Sequence, residues 1–443
     1  MFLPLFFLSD WLFRSIIAKI ACEFGEKADN LYNVSSLLRK LRYMFKIIVD
    51  LFLMVIIQAA ITPFIRRLAF VLGAVDNPNA RRVNKKPMPT IGGLGIFVTF
   101  NIGAFILLRE QFPTHELFSV LLASSVIILT GMIDDILELK PGQKMVGIFV
   151  GAMIVYYLAG IQMNVINIPF THRSFYLPWY LSLPITIFWI LALTNAVNLI
   201  DGLDGLASGV SCISLLTMGI VGYYFLRNQG LYVPIACFML AVCLIGFLPY
   251  NFNPAKIFLG DTGALYLGFM IAVLSLKGLK NVTFISLLVP VLILGVPISD
   301  TVYAMIRRKL NKRPISQADK HHLHHQLMSL GLTQRQTVLV IYALSLIFSF
   351  VSMLALLSPG WAMTLLIIGL LVAVELFVES IGLLGEKYKP LTHLISHLVL
   401  GSTKHQEPKV EVWHQGQAKP EQLKHEVQPP AGKKTKSKQK HKS

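Results

Sequence analysis

The residues of this 443-residue chain that could do chemistry are unevenly placed. Asp134, Asp135, Asp201, Asp204, Asp261 and Asp300 each fall at the edge of an apolar run or in the loop beyond it. A carboxylate at a membrane border is costly unless it is paired or binds a metal. Any one of these acids could merely cap a helix or flank a span. Six, drawn from four loops, argue for convergence into one anionic site, of the kind that attracts Mg²⁺. In GMIDDILELKPGQK the adjacent carboxylates of Asp134 and Asp135 repel, which favours a shared proton or a bound cation; Lys140 and Lys144 follow. In TNAVNLIDGLDGLASG, Asp201 and Asp204 are three residues apart and would share a face on a helical turn. Gly202 and Gly205 let the backbone approach a ligand closely, and Asn195 and Asn198 precede them. The plain alternative is an Asn/Gly-rich turn between helices. In YNFNPAKIFLGDTGALYLG, Asp261 stands between Gly260 and Gly263 at the head of an apolar run, where it could serve only as an N-cap. Phe258 beside it could be core or could stack on a nucleobase.

The segment ADKHHLHHQL brings His321, His322, His324 and His325 beside Asp319 and Lys320. Zinc is one reading, but no Cys or Glu stands close by. Hydrogen bonding to phosphate and sugar hydroxyls is the preferred one, since imidazole both donates and accepts. The stretch NARRVNKKPMPTIGGLG could bind a diphosphate through its Arg and Lys, or could simply mark a cytoplasmic loop. Its Pro87, Pro89, Gly92 and Gly93 shape a rigid turn.

The elements that position these residues are apolar runs. The chain is 54% hydrophobic and only 14% charged, against about 25% charged in an ordinary soluble domain. Its mean hydropathy is +0.63. Eleven stretches are apolar enough to be spans: 45–64, 93–109, 117–133, 145–161, 182–199, 208–226, 232–250, 263–280, 282–299, 337–357 and 361–381. The expected fold is therefore all-α, a polytopic integral membrane protein. The net charge of +17 is concentrated in a few loops and in the tail ending GKKTKSKQKHKS. Basic loops lie inside, so those loops, the tail and the acids facing them are expected in the cytoplasm. The charge is thus explained by topology rather than by nucleic acid. Residues 1–43 read as an N-terminal extension, either an interfacial helix or weak twelfth span, or a stretch ahead of a natural start at Met44. Residues 44–385 read as the transmembrane domain, and 386–443 as a basic disordered tail. Cys22, Cys212, Cys237 and Cys243 form no CxxC pair and imply neither a disulfide framework nor a zinc site.

Taken together, KKPMPTIGG, IDD, NAVNLIDGLDGLA, FLGDTGAL and HHLHHQL resemble the polyprenyl-phosphate N-acetylhexosamine-1-phosphate transferase family, in the family's order and over roughly residues 45–380. The resemblance implies a cell-membrane enzyme with its site on the cytoplasmic face. It implies Asp134 and Asp135 at the lipid phosphate, Asp201 and Asp204 in catalysis, and Asp261, with Asp201, on the metal. Lys85, Lys144, Asn195, Asn198, Asn251, Phe258, His321, His324 and His325 fall at substrate-binding positions. The implied cofactor is Mg²⁺, with Mn²⁺ as the alternative. The implied partners are UDP-GlcNAc, undecaprenyl phosphate and membrane lipid, with a homodimer admitted. The branch that uses UDP-MurNAc-pentapeptide typically carries three consecutive histidines. This chain's His-Leu-His-His resembles the UDP-GlcNAc branch, and the basic tail fits the enzyme that begins teichoic-acid linkage units. Gln326 departs from the pattern, since relatives often have a basic residue there. A cation-coupled transporter is the rival from another class, but its carboxylates would lie near the bilayer midplane rather than at one edge.

Overall fold

The computed structural model describes residues 28–76, 87–108, 113–168, 173–225, 231–278, 291–310, 312, 322–383 and 389–394. Lys85, His321, Cys22, the first half of the ninth expected span and nearly all of the basic tail lie outside the described residues. The first helix, α1 (Ala28–Leu72), runs unbroken across position 44. Two short paired strands, β1 (Val75–Asp76) and β2 (Met88–Pro89), lead into α2 (Gly92–Gly103). There follow α3 (Thr114–Leu137), α4 (Pro141–Tyr157), a hairpin of β3 (Val165–Ile168) and β4 (Arg173–Tyr176), α5 (Trp179–Ile200), α6 (Leu206–Phe225), α7 (Tyr232–Asn251) and α8 (Gly260–Gly278). The last elements are α9 (Gly295–Leu310), α10 (Leu323–Ser329), α11 (Gln334–Leu357) and α12 (Gly360–Ser380).

Among the described residues, seven helices are long and apolar enough to cross a membrane: the Leu41–Leu72 part of α1, α3, α5, the Leu206–Tyr224 part of α6, α7, α11 and α12. The expected second, fourth and eighth spans coincide with α2, α4 and α8. The first two are short, and α8 carries Asp261 and Lys277 in its end turns. The end of the expected ninth span, residues 295–299, belongs to α9, which continues to Leu310 with Arg307, Arg308 and Lys309 in its last turn. Hydropathy averaged over a window hides this change from apolar run to amphipathic helix.

The position of α8 follows from its sequence. From Ala264 to Val273 its side chains are apolar on every face apart from Tyr266, and all are buried. A helix apolar all round belongs in the middle of a bundle, and α8 packs against α2, α3, α5, α6 and α7. By contrast α1 and α12 expose large apolar side chains such as Phe52, Phe64, Trp361 and Leu365, as suits helices facing lipid. Exposed Tyr157, Trp179, Tyr180 and Tyr224 cluster where α4 and α6 end and α5 begins. Such a belt marks a membrane–water interface. The acids sit at the other ends of these helices.

Candidate active site

Three helices meet without side chains between them. A Cβ on Gly93 of α2 would lie 2.0 Å from the Cα of Gly263, and one on Gly131 of α3 would lie 2.5 Å from the Cα of Thr262. Gly260 has φ +72°, and a Cβ there would lie 1.7 Å from the carbonyl oxygen of Thr90. Only glycine fits both that backbone and that gap. The turn before α2 is held to the chain before α8 by main-chain bonds from Phe258 N to Pro89 O (2.8 Å), Gly92 N to Phe258 O (3.0 Å) and Gly93 N to Leu259 O (3.0 Å).

This close approach lets α3 cap α8. The Asp135 carboxylate accepts from the amides of Asp261 and Thr262, each at 3.0 Å, and from Thr262 Oγ1 at 2.6 Å. The first amides of a helix have no partner within it, and Asp135 satisfies two of them. Asp261 therefore need not serve as the cap, and its carboxylate projects elsewhere. It accepts from Asn198 Nδ2 and lies beside both the Asp134 carboxyl and Lys144 Nζ, the latter at 3.1 Å. Lys144 also pairs with Asp134, whose other oxygen accepts from Leu139 N at 2.8 Å and closes the turn between α3 and α4.

Burial works against ionisation of Asp261, but hydrogen bonding from Asp134 and the Lys144 and Asn198 contacts outweigh it and hold its pKa below the usual carboxylate value. Burial likewise opposes the charge on Lys144, but Asp261 and Asp134 raise its pKa. Asp201 lies in the turn between α5 and α6. Its carboxyl is held well above the usual range, first by desolvation and then by repulsion from Asp261, Asp135 and Asp204.

The histidine segment closes over this turn. A Cβ on Gly202 would lie 2.4 Å from His324 Nε2, so the ring rests directly on the glycine next to Asp201. His324 is buried, and desolvation, helped by His325, lowers its pKa to about 4. His325 lies against it, ring centroids 4.2 Å apart.

Other expected site residues are used differently. Asp204 accepts from Asn253 Nδ2 (2.9 Å) and Ala255 N (3.1 Å), so it braces the loop before α8. Asn251 is buried between Ser208 Oγ (2.7 Å) and Ile257 O (3.1 Å). Asn195 donates to Leu191 O (2.7 Å) within α5 and lies 3.2 Å from Met145 Sδ. Phe258 is half-buried and engaged through its main chain. Reading the sequence gave no role to Thr262 or Asn253; the only signal was their place inside a motif.

Among the described residues, no three His, Cys, Asp or Glu side chains form a ready metal cage. Mg²⁺ does not need one, since it commonly takes one or two carboxylates together with substrate phosphates. Asp135, Asp201 and Asp261 lie close enough to repel one another, and among the described residues Lys144 pairs with Asp261 and Asp134 only. That imbalance suits a divalent cation between Asp261 and Asp201.

The sequence profile of Glycosyl transferase family 4 matches residues 117–279, the stretch that carries most of this cluster. The chain is 40% identical over 357 residues to the "Probable undecaprenyl-phosphate N-acetylglucosaminyl 1-phosphate transferase" of Bacillus subtilis (strain 168), covering 80% of this chain and 98% of that protein. It is 32% identical to the decaprenyl-phosphate N-acetylglucosaminephosphotransferase of Mycolicibacterium smegmatis, over 73% of this chain and 85% of that one. It is also 32% identical to the phospho-N-acetylmuramoyl-pentapeptide-transferase of Chlorobium luteolum, over 66% of this chain and 87% of that one. With the profile on the acid-bearing helices and the Bacillus protein matched almost end to end, the chain belongs to glycosyl transferase family 4, the polyprenyl-phosphate N-acetylhexosamine-1-phosphate transferases that its motifs resemble.

Proposed function

We propose that this chain transfers N-acetylglucosamine-1-phosphate from UDP-GlcNAc to undecaprenyl phosphate, releasing UMP and leaving undecaprenyl-diphosphate-GlcNAc. The observation that carries this reading is the meeting of Asp134, Lys144, Asp201, Asp261 and His324, from five separate elements, at one end of the bundle. The names of the Bacillus and Mycolicibacterium relatives support the GlcNAc donor. The Chlorobium relative supplies the second reading, transfer of a phospho-MurNAc-pentapeptide; the His-Leu-His-His spacing favours the first.

Both substrates are anions, so the site must screen charge. A divalent cation, Mg²⁺ or alternatively Mn²⁺, would be held by Asp261 and Asp201 and would neutralise charge developing on the diphosphate. The remaining work falls to the chain. Lys144, kept protonated by its acidic neighbours, offers a positive contact to a phosphate arriving beside Asp134. We assign Asp134, rather than Asp135, to keeping the acceptor phosphate ionised, because Asp134 faces Lys144, the cation a phosphate would approach, whereas Asp135 is spent on holding the head of α8. An oxygen of the acceptor then bonds to the β-phosphorus of the donor while the bond to the UMP oxygen breaks. Asn198 orients Asp261, and Asp204 steadies the loop before α8. His324, neutral at physiological pH, can donate or accept towards the donor, with His325 next to it. Lys85 and His321 keep, in this reading, the substrate-binding roles that the motifs imply.

The same reading sets eleven spans in the cell membrane, with the acids, the basic loops and the tail in the cytoplasm, and makes the reaction the first step of a cell-wall glycopolymer such as teichoic acid. The test is UMP release by purified protein. It should require both Mg²⁺ and undecaprenyl phosphate and should prefer UDP-GlcNAc to UDP-MurNAc-pentapeptide. Preference for the pentapeptide donor would select the second reading, and release without the lipid would sink both.

A further inference from the structure

Asp300 and His322 form a buried pair apart from the acid cluster. His322 Nδ1 lies 2.9 Å from Asp300 Oδ2, and the other carboxylate oxygen accepts from Leu323 N at 2.8 Å. One carboxylate on α9 therefore holds both the ring and the first amide of α10, and both residues are buried. The His322 ring is parallel to that of His324, with centroids 6.0 Å apart, and His324 rests on Gly202 beside Asp201. The contacts run in series from α9 through two rings to the acid turn.

We propose that Asp300 is a positioning residue that fixes the orientation and tautomer of His322 and, through it, the seat of His324 on the Asp201–Gly202 turn. A carboxylate against Nδ1 selects the tautomer with its proton there and leaves Nε2 as the acceptor. An amide in its place can still accept from Leu323 N, but its NH₂ then faces Nδ1 and drives the proton to Nε2. Asp300→Asn thus keeps the anchor of α10 and inverts the tautomer of His322.

This inference rests on the proposed reading of His324 as a donor contact, and the experiment separates the two. Asp300→Asn, His324→Ala and the double variant are assayed with UDP-GlcNAc and undecaprenyl phosphate each titrated, and thermal unfolding is followed in the same detergent. Asp300→Asn should unfold near the wild-type midpoint, raise the donor KM about tenfold and leave the acceptor KM unchanged. Its effect should largely vanish in the His324→Ala background, since coupled residues are not additive. Wild-type kinetics for Asp300→Asn, or losses that simply multiply in the double variant, would overturn the proposal. If the two effects are coupled but fall on the acceptor KM, the positioning role stands and only the donor assignment of His324 fails.

Discussion

Asp135 stands at the end of α3, yet its carboxylate closes the start of α8 through Thr262, taking both the amide and the hydroxyl of that residue. The cap of the innermost helix is thus borrowed from a neighbour, which leaves the acid at the head of α8, Asp261, turned towards Lys144 and Asn198.

Asp135→Ala should therefore cost stability as well as activity. Losing an N-cap costs about 0.5–2 kcal/mol, and the amides of Asp261 and Thr262 would be left short of a partner. The thermal midpoint in detergent should drop further than for Asp134→Ala, which loses one main-chain contact at Leu139 and one partner of Lys144, a lysine that keeps Asp261 as its other partner. Equal midpoints would mean that water replaces the cap.

Asp261→Asn should behave in the opposite way. The change is nearly isosteric and leaves the Asp135 cap in place, so the fold should hold while most turnover is lost. Near-normal UMP release by folded variant at saturating Mg²⁺ would remove Asp261 from the metal.

His324→Ala and His325→Ala should impair use of UDP-GlcNAc more than binding of the lipid. A hydrogen bond to a charged group is worth roughly 1.5–3 kcal/mol, or about ten- to a hundredfold. Donor and acceptor titrations on each variant decide it; normal donor constants with a raised acceptor constant would place this segment at the lipid instead.

The pH dependence of folding carries the His324 signature. Its pKa in the fold is about 4, below the roughly 6.5 of an unfolded histidine. As pH falls, the unfolded chain takes up the proton first. The folded state therefore has its full share of stability above about pH 6.5 and loses it as pH falls towards about 4. Compared with His324→Gln, the wild type should lose on the order of 2–3 kcal/mol across that window. A constant difference in thermal midpoint between pH 7 and pH 4.5 would show that the ring is protonated in the fold without penalty.

Topology can be read by labelling. A cysteine at Ala318 should react only from the cytoplasm and one at Gln229 only from outside. Reaction of both from the same side would reverse the orientation drawn from the basic loops.

Much of the site was legible as spacing. The acid pair at 134–135, the Asn198–Asp201 turn and the Gly-flanked Asp261 were marked by polar residues at the edges of apolar runs, and the structure gathers them at one end. What each side chain touches was not legible, because it depends on contacts between distant segments. Nothing local distinguishes Asn251, turned inward to Ser208, from Asn198, turned to Asp261. Asp201 and Asp204 look equivalent three residues apart, yet Asp204 is engaged by Asn253 and Ala255 some fifty positions on. His322 looked like one more member of a histidine run until α9 supplied Asp300.

Far from the acids, Glu116 in the first turn of α3 is paired with Lys277 in the last turn of α8, with the lysine also over the ring of Tyr232. With Asp135 at the other end, α3 grips its antiparallel neighbour like a calliper. The jaws are nineteen residues apart on α3, roughly 28 Å of helix. The matching points on α8, Thr262 and Lys277, are about 22 Å apart along the axis, and the reach of the lysine side chain makes up the difference. One residue inserted between Glu116 and Asp135 would turn one jaw by about 100° relative to the other. Only one could then close, so the length of α3 acts as a gauge for the depth at which Asp261 meets the site.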